Sequence, residues 1–379
     1  MRFLHTSDWH LGRLFHAVHL TEDQAHLLDQ VVEFAREARV DAVLIAGDVY
    51  DRAVPPPQAV ELLDETLARL VLGHRIPVIV IAGNHDSPHR MGFGARLMAA
   101  SRLHVVGPLA ASTIGVGLAD EHGPVHVYPL PYAEPAIARQ VLGDPALETH
   151  ALAMKALLDG IRAGHPAGER SVLVAHAFVQ GGAESESERP LSIGGADRID
   201  ADQLEGFSYV ALGHLHRPQS ASARASYSGS LMKYSFSESA GARSVSLVEL
   251  DAVGAVHVER VELTARRDVR VLEGTLAELL AGRGSDDYVQ VNLTDRGPLL
   301  DPIGKLRQVY PNVLHLDRHA FAEAAAAHGP ARDHRQASDL DLFGAFFAEA
   351  TGQPMSEDEH AALTRVLQNL SLRQREDAP

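Results

Sequence analysis

The feature that most constrains this chain is a series of short, unbroken apolar runs, each ending abruptly in acidic, amide or histidine residues. Ala42-Val43-Leu44-Ile45-Ala46 ends in Gly47-Asp48, and Pro77-Val78-Ile79-Val80-Ile81-Ala82 ends in Gly83-Asn84-His85-Asp86. Runs of this length with no polar alternation are strands buried on both faces. Arg2 to Thr6 reads as a first strand running into Asp8-Trp9-His10. Ser171 to Ala175 runs into His176, and Tyr209 to Leu212 into Gly213-His214-Leu215-His216. Helical stretches fall between the strands. Ala25, Leu28, Val32 and Ala35 recur at helical spacing within Glu22 to Ala38, with Thr21 as N-cap, and further helices are predicted over Pro57 to Leu72 and Leu147 to Arg162. The alternation predicts an α/β layered fold. Val125 to Tyr128, Tyr227 to Ser230 and Ser244 to Leu250 are predicted as further strands, the last two closing a sheet. The polar Gln180 to Arg189 segment reads as a mobile surface loop.

Ligands of open α/β sheets bind at the carboxyl ends of the strands. The residues collected there are Asp8 and His10; Asp48 and Asp51; Asn84, His85 and Asp86; His176; and His214 and His216. A lone D-x-H is a weak motif. Five strand ends delivering such residues together predict a metal site. The sequence has no cysteine, so ligands must be oxygen or imidazole nitrogen, which suits Mn²⁺, Mg²⁺, Fe²⁺ or a histidine-bound Zn²⁺. Four histidines, two or three aspartates and an asparagine exceed one ion's shell. They suit two ions sharing a carboxylate, which clamp a phosphate, lower the pKa of a water between them and stabilise attacking and leaving oxygens. Hydrolysis of a phosphate ester is the predicted chemistry.

Beyond about Val261 the pattern changes. Strands over Val269 to Leu272, Tyr288 to Leu293 and Val313 to Leu316, with helices over Thr275 to Ala281 and Pro302 to Val309, predict a small second domain. The Ala-rich stretch that follows reads as a linker. A helical pair ends the sequence: Phe343, Phe346 and Phe347 share one face, Gly352-Gln353-Pro354 stops the first helix, and Ser356 with Glu359 forms a capping box for the second. Leu363, Val366, Leu367 and Leu370 then form an apolar stripe, which packs on the protein's own core or docks a partner. The expected division is 1–260, 261–320, a linker 321–339 and a helix pair 340–379. Over its 379 residues no apolar run reaches membrane-spanning length, and the start turns polar too soon for a signal peptide. The net charge of −16 speaks against a broad nucleic-acid surface but allows a local basic rim on an acidic body.

D-x-H, G-D-x-x-D, G-N-H-D, a histidine after a strand and G-H-x-H together resemble the signature of the calcineurin-like metallophosphoesterases over about Met1 to Ser230. The surrounding words, Thr6-Ser7-Asp8-Trp9-His10-Leu11-Gly12, Gly47-Asp48-Val49-Tyr50-Asp51-Arg52, Gly83-Asn84-His85-Asp86-Ser87 and Tyr227-Ser228-Gly229-Ser230-Leu231 through Phe236-Ser237-Glu238, are similar to the SbcD family of bacterial double-strand-break nuclease subunits. The resemblance implies a layered β-sandwich flanked by helices, a small α+β capping domain, and terminal helices that dock an SbcC-type coiled-coil ATPase. It implies two Mn²⁺ per chain, although the ligand set alone leaves Mg²⁺, Fe²⁺ and Zn²⁺ open. Asp8, His10, Asp48 and His216 would hold one ion. Asp48, Asn84, His176 and His214 would hold the other, and His85 would protonate the leaving 3′ oxygen or steady the transition state. It further implies a cytoplasmic, nucleoid-associated enzyme acting on DNA: a 3′–5′ double-strand exonuclease and a single-strand or hairpin endonuclease in repair and recombination. Homodimerisation within a heterotetramer is implied too, through helices near Pro57 to Leu72 and Arg90 to Ala100.

Other residues carry weaker expectations. Asp51 is an orienting group or a turn residue, and Asp86 is structural. Arg13, Arg90, Arg189, Arg217 and Lys233 are candidates for phosphate contacts, against solvated surface. Tyr234 and Phe236 line a DNA path or belong to the core. His5, His16, His19, His26 and His89 are not expected to be ligands. Two other functions remain open at this point: a metallophosphatase acting on a small nucleotide, and a non-catalytic scaffold.

Overall fold

The computed structural model describes residues 1–188, 198–295, 297, 299–318, 340, 343–344, 346–348 and 353–376. Arg189, the expected linker 321–339, most of the expected first terminal helix, and the side chains of Leu367 and Leu370 lie outside the described residues.

The strands are β1 (Arg2–Thr6), β2 (Ala42–Ile45), β3 (Val78–Ile81), β4 (Leu103–Val106), β5 (Val116–Asp120), β6 (Gly123–Leu130), β7 (Arg170–His176), β8 (Tyr209–Gly213), β9 (Gln219–Ser220), β10 (Ala225–Tyr227), β11 (Arg243–Leu250) and β12 (Val256–Leu263). They form two six-stranded sheets, ordered β12-β11-β1-β2-β3-β4 and β9-β10-β8-β7-β6-β5. In each sheet four adjacent strands run parallel, β1 to β4 in the first and β10, β8, β7 and β6 in the second. The sheets pack face to face. Phe3, Leu44, Ile79 and Ile81 from the first meet Val127, Val172, Val174 and Tyr209 from the second in one buried cluster. Every residue of β2, β3, β7 and β8 is buried, which explains their unbroken apolar sequences. Helices cover the outer faces: α1 (Thr21–Glu37), α2 (Pro57–Ala68) and α3 (His150–Gly164). Met154, Leu158 and Ile161 of α3 pack on the second sheet.

Three expectations need correcting. The Tyr227 to Ser230 stretch is a strand only through Tyr227. Ser228 lies just past the ladder, its hydroxyl 2.9 Å from Ser7 Oγ. Helix α1 is not capped by Thr21, which lies inside it; Leu20 is the N-cap and supplies no side-chain bond. The Gln180 to Arg189 segment, as far as it is described, is not a free surface loop: Ser187 is buried and Glu188 accepts the His216 amide at 2.7 Å.

The chain divides into two compact units, Met1–Arg270 and Val271–Pro379. The division falls later than residue 260 because β12 pairs with β11 along its whole length, Leu263 included. In the second unit, the three-stranded sheet of β13 (Val269–Gly274), β14 (Tyr288–Leu293) and β15 (Val313–Asp317) is covered by α4 (Leu276–Leu280) and α5 (Pro302–Leu306) around Val289, Val291, Leu306 and Tyr310. Thr275 and Glu278 form a capping box at α4. The last helix, α6 (Glu357–Glu376), begins with the Ser356–Glu359 capping box: Glu359 Oε2 accepts from the Ser356 amide at 2.8 Å.

Candidate metal centre

The carboxyl ends of β1, β2, β3, β7 and β8 meet where the two sheets touch. The approach is too close for any side chain at two glycines. A Cβ on Gly213 would lie 1.9 Å from the Ala46 carbonyl oxygen, and one on Gly47 would lie 2.5 Å from His176 Nδ1. The backbone there is forced as well. Asp8, His10 and Asp48 take φ of 52°, 44° and 48°, and His214 takes 108°, in the half of conformational space that non-glycine residues avoid. Such turns persist only where the surroundings over-determine them. Here the Asp8 amide donates to the Gly47 carbonyl at 3.0 Å, the His10 amide to the Asp48 carbonyl at 3.0 Å, and the His214 amide to the Asp8 carboxylate at 3.1 Å.

Potential ligand atoms of Asp8, His10 and His216 lie within 4.8 Å of one another, as do those of Asp8, Asp48 and His176, all in buried residues. Asp48 Oδ2 is 3.8 Å from His10 Nε2 and 3.4 Å from His176 Nε2, so it faces both groups. Asn84 Oδ1 is 2.9 Å from His176 Nε2. The His214 ring lies 5.4 Å from that of His176. His85 reaches the cluster from its rim, its ring 4.7 Å from that of His10.

The protonation pattern fits cations. His216 Nδ1 lies 2.6 Å from Ser187 Oγ, which donates to Glu238, so Nδ1 carries the hydrogen and Nε2 a lone pair. His10 Nδ1 lies 3.5 Å from Asp51 Oδ1, too far for a well-formed bond but on an acceptor, which again leaves the lone pair on Nε2. The two Nε2 atoms face each other at 3.1 Å. Opposed lone pairs beside a carboxylate call for a positive ion. Burial drives the His10 imidazole down to about 3 and His214 well below the usual range, keeping both neutral, as metal ligands must be. Burial would lower His176 also, yet Asp48 and Asp8 outweigh it and carry it up to about 9. Burial raises the Asp8 carboxyl, whereas for Asp48 the histidines overcome burial and hold it well below the carboxylate range. The site demands positive charge and its donors fit divalent ions.

The weaker candidates separate clearly. Asp51 accepts from Arg13 NH1 at 3.2 Å while facing His10. Arg13 also donates to the Ser187 carbonyl and lies over the Tyr234 ring, so it braces the site. Arg90 and Arg217 are exposed. Lys233 is 7% exposed and lies 2.8 Å from the half-exposed carboxylate of Asp268, an ion pair in place of the expected phosphate contact. Tyr234 is buried, packs edge-on against His10 and donates to the Trp9 carbonyl; it is floor and not path. Phe236 is half-buried against Phe15. Asp86 accepts the amides of Gly83, Val49 and Tyr50 at 2.9, 3.1 and 2.9 Å, the structural role expected of it. His5 is buried between the sheets on Tyr209 and the Leu212 carbonyl.

Sequence reasoning missed the brace behind His216. Glu238, fully buried, accepts from Ser187, Arg243 and the Tyr234 amide. Arg243 NH1 also donates to the His216 carbonyl at 2.7 Å. A carboxylate behind a ligating histidine fixes its tautomer and orientation.

Residues 1–218 match the family described as calcineurin-like phosphoesterase, and residues 265–351 match the type 5 capsule protein repressor C-terminal domain, SbcD_C. The chain is 32% identical over 372 residues to a nuclease SbcCD subunit from Staphylococcus saprophyticus, its SbcD chain, covering 97% of this chain and 98% of that one. The chain belongs to the calcineurin-like phosphoesterases, in the SbcD family. Members of this family are hydrolases of phosphate esters that work with divalent metal, and the Asp/His cluster suits that chemistry. Among solved structures, TT1561 of Thermus thermophilus covers 68% of this chain and 98% of its own at 13% identity and a TM-score of 0.39. A dimetal phosphatase from Danio rerio covers 70% and 99% at 14% identity and 0.40. Among the described residues no helix is long and apolar enough to cross a membrane.

Proposed function

We propose that this SbcD-family chain is a two-metal DNA nuclease: a 3′–5′ exonuclease on double-stranded ends and an endonuclease on single strands and hairpins, working with an SbcC-type ATPase. The observation that carries the two-ion reading is Asp48, whose Oδ2 faces His10 on one side and His176 on the other. Asp8, His10, Asp48 and His216 would hold one ion and Asp48, Asn84, His176 and His214 the second, with Mn²⁺ the favoured metal. The ions would draw charge from the phosphate and activate the attacking water.

The chain's own residues do the rest. His85 Nδ1 lies 2.8 Å from the Asp51 carbonyl, which can only accept. Nδ1 is therefore a donor, and in the imidazolium form Nε2 is the second N–H, the one that would deliver its proton to the departing 3′ oxygen and return to a lone pair. The His85 amide donates to Asp48 Oδ1 at 2.8 Å, tying the proton donor to the shared ligand.

Residues up to about 270 would form the nuclease domain, those from there to 320 the capping domain, 321–339 a linker and 340–379 the ATPase-docking helices. The exposed Phe346 and Val366 support that last role. Leu72, Phe93 and Leu97 are 70%, 85% and 81% exposed and supply an apolar surface for a homodimer within the heterotetramer. The deciding experiment is cleavage of an end-labelled DNA hairpin in Mn²⁺, with and without the ATPase, beside turnover of bis-p-nitrophenyl phosphate. Turnover of the small ester with no cut DNA under either condition would identify a small-substrate phosphatase instead.

A further inference from the structure

The opposite edge of the first sheet carries a second feature, independent of the metal centre. Arg39, Arg75 and Arg102 each stand at or just past the end of a helical segment, shortly before β2, β3 and β4 respectively. All three have left-handed backbones, with φ of 50°, 61° and 67°. Glycine is the ordinary occupant of such helix ends because a Cβ is penalised there. Arginine at three successive turns is a costly choice for the backbone alone.

The three arginines line one cleft of about 710 Å³, joined by Arg36, His74 and His104. Arg36 is paired with Glu33 and Glu37. The side chains of Arg39, Arg75 and Arg102 are exposed and make no ion pair or hydrogen bond among the described residues, so they do not cap the helices they follow. The one carboxylate lining the cleft, Asp41, accepts the Arg2 amide at 2.7 Å. In a chain of net charge −16, unpaired guanidinium groups gathered around one cavity form a local electropositive site. Their planar fork of donors matches phosphate oxygens.

We propose that this cleft binds a phosphate-bearing anion. A polyphosphate chain and a nucleic-acid backbone share the required chemistry. The cleft lies at the amino ends of β2, β3 and β4, and the carboxyl ends of β2 and β3 supply the metal centre, a strand's length or roughly 15 Å away. Its occupant therefore does not compete with the scissile phosphate.

The test uses the full chain with Arg39→Gly, Arg75→Gly and Arg102→Gly combined. Glycine removes the charge and relaxes the positive φ, so the fold is kept and the thermal midpoint stays level or rises. Titration with inorganic tripolyphosphate in EDTA at low salt should show saturable binding by the parent, weakened at least tenfold in the triple variant and retained with lysine at the three positions. Mn²⁺-dependent hydrolysis of bis-p-nitrophenyl phosphate should be unchanged. In a second arm, anisotropy of a labelled DNA duplex is followed against salt in EDTA. A salt slope smaller by about 2.7 in the variant, at about 0.9 per phosphate contact, identifies the DNA backbone as the occupant. An unchanged slope beside lost tripolyphosphate binding identifies a free polyphosphate. No saturable tripolyphosphate binding by the parent, or equal binding by parent and glycine variant, overturns the proposal.

Discussion

The backbone amide of His85 donates to Asp48 Oδ1 at 2.8 Å, while the other oxygen of the same carboxylate faces His10 and His176. The group proposed to bridge the ions thus also sets the position of the group proposed to deliver the proton. Asp48→Asn keeps the shape but removes the shared negative charge. Metal affinity should fall by more than the roughly 10- to 100-fold expected for an outer-shell change, read as Mn²⁺ bound per chain by calorimetry. Parent-like binding by that variant would remove Asp48 from the ligand set.

His85→Gln separates the two roles. Mn²⁺ stoichiometry should be unchanged, whereas phosphodiester cleavage should drop by about 10² to 10⁴, the usual contribution of a positioned acid or base. Single-turnover cleavage of a labelled DNA hairpin measures it, and a rate near that of the parent would rule out proton delivery by His85.

Glu238 and Arg243 form a buried pair behind His216. Glu238→Ala leaves the Arg243 charge buried without its carboxylate and should cost about 3–5 kcal/mol in chemical denaturation. Glu238→Gln should be milder in stability. It should still weaken Mn²⁺ binding by about 10- to 100-fold, because His216 loses the anion behind its ring. Unchanged metal affinity in the glutamine variant would reduce the pair to packing alone.

Acid stability should depend on Asp120, far from the cluster in sequence. Its Oδ1 and Oδ2 accept from Arg170 NH2 and NH1 at 2.5 and 3.0 Å, which holds the carboxyl well below the usual range. A depressed folded-state pKa means the contribution is complete above the unfolded value, about 3.9, and disappears as the pH falls through the folded one. Asp120→Asn should therefore destabilise the protein at pH 7, with the gap narrowing progressively below about pH 4. Urea midpoints from pH 3 to 7 in EDTA test this, and a gap independent of pH would contradict it.

Phe93 and Leu97 are among the most exposed apolar side chains described. Phe93→Arg with Leu97→Glu should leave the thermal midpoint within about 0.5 kcal/mol equivalent and shift the chain toward monomer in sedimentation velocity. A dimer that survives both changes would place the interface elsewhere.

Much of the site is legible in the sequence because each ligand candidate follows directly on an apolar run. An unbroken run such as Val78–Ile81 has one physical reading, a strand buried on both faces, and its end points at the sheet edge. The brace is not legible. Glu238 and Ser187 reach His216 only after the two sheets have docked, and nothing in their neighbouring residues marks them as buried. Lys233 illustrates the converse: proximity in sequence to a motif loop said nothing of Asp268, which takes up its charge. The division into two sheets is hidden for a similar reason, since β6, β7 and β8 carry the same apolar signature as β2 and β3. Periodicity reports burial, not pairing partners.

The contact between Gly213 and Ala46 joins two halves that contribute unequally. The first sheet brings both carboxylates, the amide and one imidazole, while the second brings three imidazoles. Neither half alone carries the whole set proposed to hold the ions. The set of residues proposed to hold the ions is therefore complete only once the stretch through His216 has folded against the first sheet.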